Sequence, residues 1–231
     1  MTGRRLWLGL VLLGTLAPAR AAPLPLEDPA GLALLTTSTA RADYGSLAQV
    51  FETQANLAYC GVASSVMVLN SLRLAAPPVP GYGRYRFWTQ ANLFEPAASR
   101  AVIAPERVAR EGMTLRQLEA LLASHGLKVQ RLHGDRLSLV AFRTVLQRSL
   151  ADPTDRLLVN YQRSAVGQEE GGHIAPLAAY DAGSDQALIL DVARYRYPAV
   201  WVKVTDLWRS LNTIDRSSGR SRGLVIARPR N

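Results

Sequence analysis

The 231-residue chain has one cysteine, Cys60, and three histidines. A lone cysteine excludes an internal disulfide, so the thiol is either an inert buried group or one kept for its chemistry. There is no zinc-finger spacing, no basic helix and no alternation of aromatic and basic residues, which argues against nucleic acid as a partner. Internal repeats and low-complexity segments are absent as well. After the first residues, no apolar run is long enough to span a bilayer.

The exception is at the start. Arg4 and Arg5 precede the run LWLGLVLLGTLAP, and small residues at Ala19 and Ala21 close an A-x-A site. This pattern predicts a secretory signal peptide over residues 1–21 and an exported protein, periplasmic in a Gram-negative cell. The expected mature chain, residues 22–231, is long enough for one compact domain without disulfide or metal support. The formal charge of +9 falls to +6 on cleavage, because the segment carries Arg4, Arg5 and Arg20 and no acid. A basic balance suits an acidic small substrate, and it suits solubility equally.

Apolar residues at helical spacing predict a buried helix from Cys60, stopped by Pro77 and Pro78. A second, amphipathic helix is expected from Thr114 to Gly126, followed by a strand, and a third within RLSLVAFRTVLQRSLA. The pattern then changes to RLLVNYQR, HIAPLAAY, QALILDVARY and AVWVKV, which read as strands. TDLWRSLNTI reads as a short helix and RGLVIAR as a last strand. Helices first and an antiparallel sheet later give an α+β class in two packed lobes.

Cys60 opens its helix, where free backbone N–H groups and the helix dipole favour a thiolate. A thiolate nucleophile needs a base. His125 and His133 fall at a helix end and in a polar connector, whereas His173 opens a strand directly after Gly171 and Gly172. A five-residue hairpin loop centred on Gly183 would set His173 opposite Ala193 and Asp191 opposite Ala175. Histidine and aspartate then share a sheet face as diagonal neighbours, roughly 7–8 Å apart. One bulge, or an even-length turn, would break that parity. Asp191 interrupts the apolar ALILDVA, where an unpaired charge is costly. Gln54, six residues before Cys60, is a candidate donor to an oxyanion, and the order Gln, Cys, His, Asp makes a papain-like constellation.

The stretches ETQANLAYCGVASSVMVLNSL and GGHIAPLAAYD, with ALILDVARYRYPAVWVKVTDLWRSLNT, closely resemble phytochelatin synthase, the glutathione γ-glutamylcysteinyltransferase family. The likeness spans residues 34–228 and is strongest to short bacterial members that have the catalytic domain only. It implies a papain-like cysteine peptidase fold with Cys60 as nucleophile, His173 as acid and base, Asp191 as orienter and Gln54 in the oxyanion hole. It further implies that Asp215 and Arg222 hold a γ-glutamyl head, with Gly172 adding backbone contacts, and that Arg194 and Tyr197 lie toward the acceptor. The implied substrate is glutathione and the implied assembly a homodimer. No cofactor or protein-bound metal is expected, cadmium or zinc entering as the thiolate adduct of an acceptor glutathione. The plant enzymes carry a cysteine-rich C-terminal domain. With no second cysteine here, metal sensing by the chain itself is not expected. The resemblance to short bacterial members, which act largely as glutathione hydrolases, implies cleavage. The sequence leaves open whether water or a second glutathione takes the acyl group. A related peptidase acting on other peptides and a non-catalytic binding module remain the alternatives.

Overall fold

A computed structural model describes residues 22–230; the expected signal peptide lies outside them. Among the described residues, nine strands and eight α-helices follow in chain order. The strands are β1 (Leu24–Pro25), β2 (Leu127–His133), β3 (Arg156–Gln162), β4 (Gly172–Asp181), β5 (Gln186–Ile189), β6 (Val200–Lys203), β7 (Ile214–Asp215), β8 (Arg220–Ser221) and β9 (Gly223–Pro229). The helices are α1 (Pro29–Thr37), α2 (Tyr44–Gln49), α3 (Cys60–Ser71), α4 (Ala97–Val102), α5 (Pro105–Glu111), α6 (Leu115–Ser124), α7 (Leu139–Ser149) and α8 (Val204–Leu211).

One antiparallel sheet runs β1-β6-β5-β4-β3-β9-β2, with β7 and β8 forming a small separate ribbon. The expected α+β class is what the chain forms. Its edges, though, come from the N-terminal side: β1 pairs with β6, and β2 pairs with β9. Helices cover both faces of the sheet. Phe142 and Leu146 of α7 and Leu207 and Leu211 of α8 pack on Leu157, Val159 and Leu177. Val62 and Val66 of α3 and Leu118, Leu121 and Leu122 of α6 pack on Leu158, Ile174 and Val225. Covered on both sides, β3 is buried along nearly its whole length, which is why RLLVNY reads as a continuous run rather than an alternation. No helix among the described residues is long and apolar enough to cross a membrane.

Helix α3 buries every residue from Gly61 to Leu69. It ends at Ser71, well before the two prolines expected to stop it. Arg73 takes a left-handed conformation (φ 55°), and the N–H of Leu74 donates to Leu69 O while that of Arg73 donates to Asn70 O. That is a Schellman stop with arginine in the place usually held by glycine. Helix α6 starts where expected: Thr114 and Gln117 form a capping box. Helix α7 is capped by Ser138, whose hydroxyl accepts from the Ala141 N–H.

The β4–β5 hairpin departs from the expected geometry twice, and the departures cancel. Asp181 pairs with Gln186, so the turn holds four residues, not five. A register shift between Leu177 and Ala179 then restores the pairing of Leu177 with Ile189, the register a five-residue loop would have given. Strand β5 stops at Ile189, and the Leu190 N–H donates to Pro176 O.

Arg156, at the start of β3, locks three elements together. Its guanidinium donates to Asp43 Oδ1 (2.9 Å) beside α2, to Ser46 Oγ (2.8 Å) within α2 and to Ser71 Oγ (3.0 Å) at the end of α3. Both members of the Arg156–Asp43 pair are buried. Burial raises the Asp43 pKa to about 8 even beside Arg156. Arg156→Met would therefore leave a largely neutral buried carboxyl without its donor and should lower unfolding stability by about 1–3 kcal/mol. Urea denaturation checks this, and the double variant with Asp43→Leu should lose less.

Candidate functional site

Cys60 is the first residue of α3. The polar stretch before it is tied down rather than loose. The Gln54 N–H donates to Val192 O (2.9 Å), the Ala55 N–H to Gln90 Oε1 (2.8 Å) and the Ala58 N–H to Asn56 Oδ1 (2.9 Å). Ser64, one turn into the helix, donates to Ile174 O (3.1 Å) on β4. That bond sets the helix start against the strand that carries His173.

His173 is buried, with its ring edge-on to that of Tyr161, its cross-strand partner on β3 (centroids 5.7 Å apart, 89°). Its Nε2 lies 2.8 Å from Asp191 Oδ1. With Nε2 taken, Nδ1 is the ring nitrogen left for the sulfur. Burial pushes the Cys60 thiol pKa up, but the hydrogen bond and charge of His173, with backbone bonds from Ile174 and Gly61, bring it below its ordinary value. Burial likewise disfavours the imidazolium, and Asp191 and Cys60 overcome it, so the His173 pKa is raised. Both shifts favour the thiolate–imidazolium pair over the neutral thiol and imidazole.

Asp191 is fully buried. Desolvation opposes its charge, yet His173 and Arg163 hold its carboxyl well below the usual carboxylate range. The Arg163 fork donates Nη1 to Oδ2 (2.6 Å) and Nη2 to Oδ1 (3.0 Å), and the Ala193 N–H adds a bond to Oδ1 (2.9 Å). Arg163 is itself buried, donates to Gln168 Oε1 (2.6 Å) and lies against the Tyr197 ring at 4.8 Å. Sequence reasoning missed Arg163. It ends an apolar strand run, where an arginine reads as a solvated terminus, and nothing in its spacing points to a partner 28 residues away.

A pocket of about 550 Å³ opens beside the sulfur. Cys60, Gly172, His173, Asp215 and Arg222 all line it, so five of the expected site residues share one cavity. Asp215 accepts from the Ser217 N–H (3.1 Å) and the Ser218 hydroxyl (3.2 Å). Among the described residues, neither Asp215 nor Arg222 has an oppositely charged side chain within ion-pair distance. Gly172 leaves room for Arg222: a Cβ there would sit 2.5 Å from Nη1. Gln54 is buried but does not line the pocket. Its Nε2 donates to Asn56 O (2.7 Å) and Tyr195 Oη (3.1 Å), and its Oε1 has no partner. Arg194 donates to Phe51 O (3.2 Å), and Tyr197 Oη accepts from the Glu169 N–H (3.0 Å); neither lines the pocket.

A model of the phytochelatin synthase family matches residues 21–224. The chain belongs to this family. It is 34% identical over 186 residues to glutathione gamma-glutamylcysteinyltransferase 1 of Lotus japonicus, covering 79% of this chain and 35% of that protein. The Triticum aestivum protein of the same name is 35% identical over 188 residues, covering 80% and 36%. The Schizosaccharomyces pombe glutathione gamma-glutamylcysteinyltransferase is 30% identical over 187 residues, covering 81% and 44%. The chain thus spans less than half the length of these relatives. Among solved structures, the peptidase domain of Streptococcus ComA, a bifunctional ABC transporter, superposes with a TM-score of 0.46 at 14% identity, covering 78% of this chain and 97% of that domain.

For this family member, the lowered thiol pKa predicts a pH profile. The rate of Cys60 alkylation by iodoacetamide should show a midpoint below the ordinary thiol value of about 8.5. His173→Ala should move the midpoint upward, because the partner that favours the thiolate is gone.

Proposed function

We propose that the chain cleaves the Cys–Gly bond of glutathione through a γ-Glu-Cys thioester on Cys60. One observation carries the reading. A nucleophilic thiol and its base share a pocket with Asp215 and Arg222. Unlike the exposed charges at the rim (Arg110, Glu111, Glu170, Arg216), these two are withdrawn from solvent and not ion-paired, matching the α-ammonium and α-carboxylate of a γ-glutamyl head. In that reading, Arg222 takes the carboxylate and Asp215 the ammonium, setting the distal peptide carbonyl at the sulfur.

The Cys60 thiolate attacks the carbonyl carbon, and the carbonyl π pair moves to oxygen. The Cys60 N–H at the start of α3 faces the oxyanion. Gln54 can contribute its amide by exchanging its bond to Asn56 or Tyr195 for one to the oxyanion. His173 gives its proton to the departing glycine nitrogen, and the C–N bond breaks. Water, deprotonated by His173, then releases γ-Glu-Cys and restores the thiol. If the amine of a second glutathione attacks instead, the product is (γ-Glu-Cys)₂-Gly, with cadmium or zinc entering on the acceptor's thiolate. Asp191 keeps the imidazole in the tautomer and orientation both steps need.

Incubation of the purified protein with millimolar glutathione, with and without cadmium, tests the proposal by mass spectrometry. Glycine with γ-Glu-Cys marks hydrolysis, and (γ-Glu-Cys)₂-Gly marks transfer; neither product from folded protein overturns the reading. Cys60→Ser should give no product. Asp191→Asn and Arg163→Met should each cut kcat roughly a hundredfold or more through misorientation of His173, with KM changing much less. Export is part of the same proposal: an N-terminus beginning at Ala22 in protein from a periplasmic fraction supports it, and an intact Met1 there counts against it.

A further inference from the structure

Asn160 is the one polar residue in the apolar run Leu157–Tyr161 at the centre of the sheet, paired across to Ile174 on one side and Gly223 on the other. It is 2% exposed and lies in the pocket wall. Its Oδ1 accepts a 2.7 Å hydrogen bond from Arg222 Nη1. On the other flank, Gly172 leaves the guanidinium its space. The Arg222 backbone is pinned at both ends: its N–H donates to Thr213 O (2.9 Å), and its carbonyl accepts from the Gly134 N–H (2.8 Å). The Arg222 Nε is buried without a partner. A partly buried guanidinium would ordinarily be matched by a carboxylate, as Arg156 and Arg163 are here. This one is met by a neutral amide.

We propose that Asn160 is a specificity-determining positioning residue: it aims Arg222 through a neutral acceptor and so leaves the whole cationic charge for a substrate α-carboxylate. The inference rests on the reading of Arg222 as the γ-glutamyl carboxylate site and extends it to what sets that site's strength. An aspartate in the same place would hold the guanidinium equally well and satisfy its charge internally. Binding of a carboxylate would then have to displace or share an existing ion pair. Asparagine gives the geometry without an ion pair. Asp215 and Cys60 act on the guanidinium only at longer range, and its direct counter-charge comes with a ligand that has an anionic head.

The test compares glutathione with 4-aminobutyryl-Cys-Gly, which keeps the chain length and the amine but lacks the α-carboxylate. The wild-type protein should prefer glutathione in kcat/KM. In Asn160→Asp, KM for glutathione should rise about tenfold or more, the size of one charge-assisted contact, with kcat falling much less. The preference over the analogue should shrink by a similar factor. Asn160→Ala, which removes the acceptor without adding an anion, should raise KM less; near-UV circular dichroism checks that each variant is folded. A folded Asn160→Asp with wild-type KM and preference overturns the role of Asn160, as does an unchanged KM in Asn160→Ala should the aspartate variant not fold. A wild-type protein indifferent to the α-carboxylate overturns the reading of Arg222 instead.

Discussion

The site depends on one buried anion. Asp191 has no access to water, and its charge survives because both oxygens are occupied: an arginine fork across the pair, a backbone N–H and the histidine ring. Remove that anion and the imidazolium loses its partner. Without the imidazolium, the thiol keeps only the backbone bonds from Ile174 and Gly61 against burial, which is the larger effect and disfavours its ionised form. The chain of dependence runs from Arg163 to Asp191 to His173 to Cys60, with each charge kept by the next.

The fold supplies the rigidity this arrangement needs. His173 and Arg163 sit on or beside the two central strands, where the sheet is covered on both faces. Cys60 comes from a helix buried on all sides and bonded to β4 through Ser64. Contacts of this kind confine side chains to one rotamer, and a catalytic geometry requires that confinement. The outer parts of the pocket are built differently. Asp215 lies on the short β7–β8 ribbon, held by its own turn, and Arg222 follows directly after that ribbon. The thiol, imidazole and carboxylate are lodged in the core, and the residues proposed to hold the substrate lie at its margin.

Much of the site was legible in the sequence, because its residues violate local expectation. Cys60 stands at a polar-to-apolar boundary, His173 follows two glycines, and Asp191 breaks a run of aliphatic residues. Each is a position where a bland residue would have served a purely structural purpose. Arg163 and Asn160 were not legible. Both stand in or beside a strand whose pattern is apolar on both faces, and their importance lies wholly in what is brought to them from elsewhere in the chain. The end of α3 was misplaced for a related reason: Arg73 adopts a left-handed backbone usually left to glycine, and no composition rule flags it. Asp215 and Arg222 would have passed as a solvated turn; only the family likeness singled them out.

The β4–β5 hairpin reaches its working register through two offsetting irregularities, a four-residue turn and a shift beside Ala178. Either one alone would carry the residues beyond it to the opposite side of the sheet and take Asp191 away from the imidazole. Insertion or deletion of a single residue at this tip is therefore not the harmless surface change that loops usually tolerate. Length at the tip and slippage in the strand can only evolve as a matched pair.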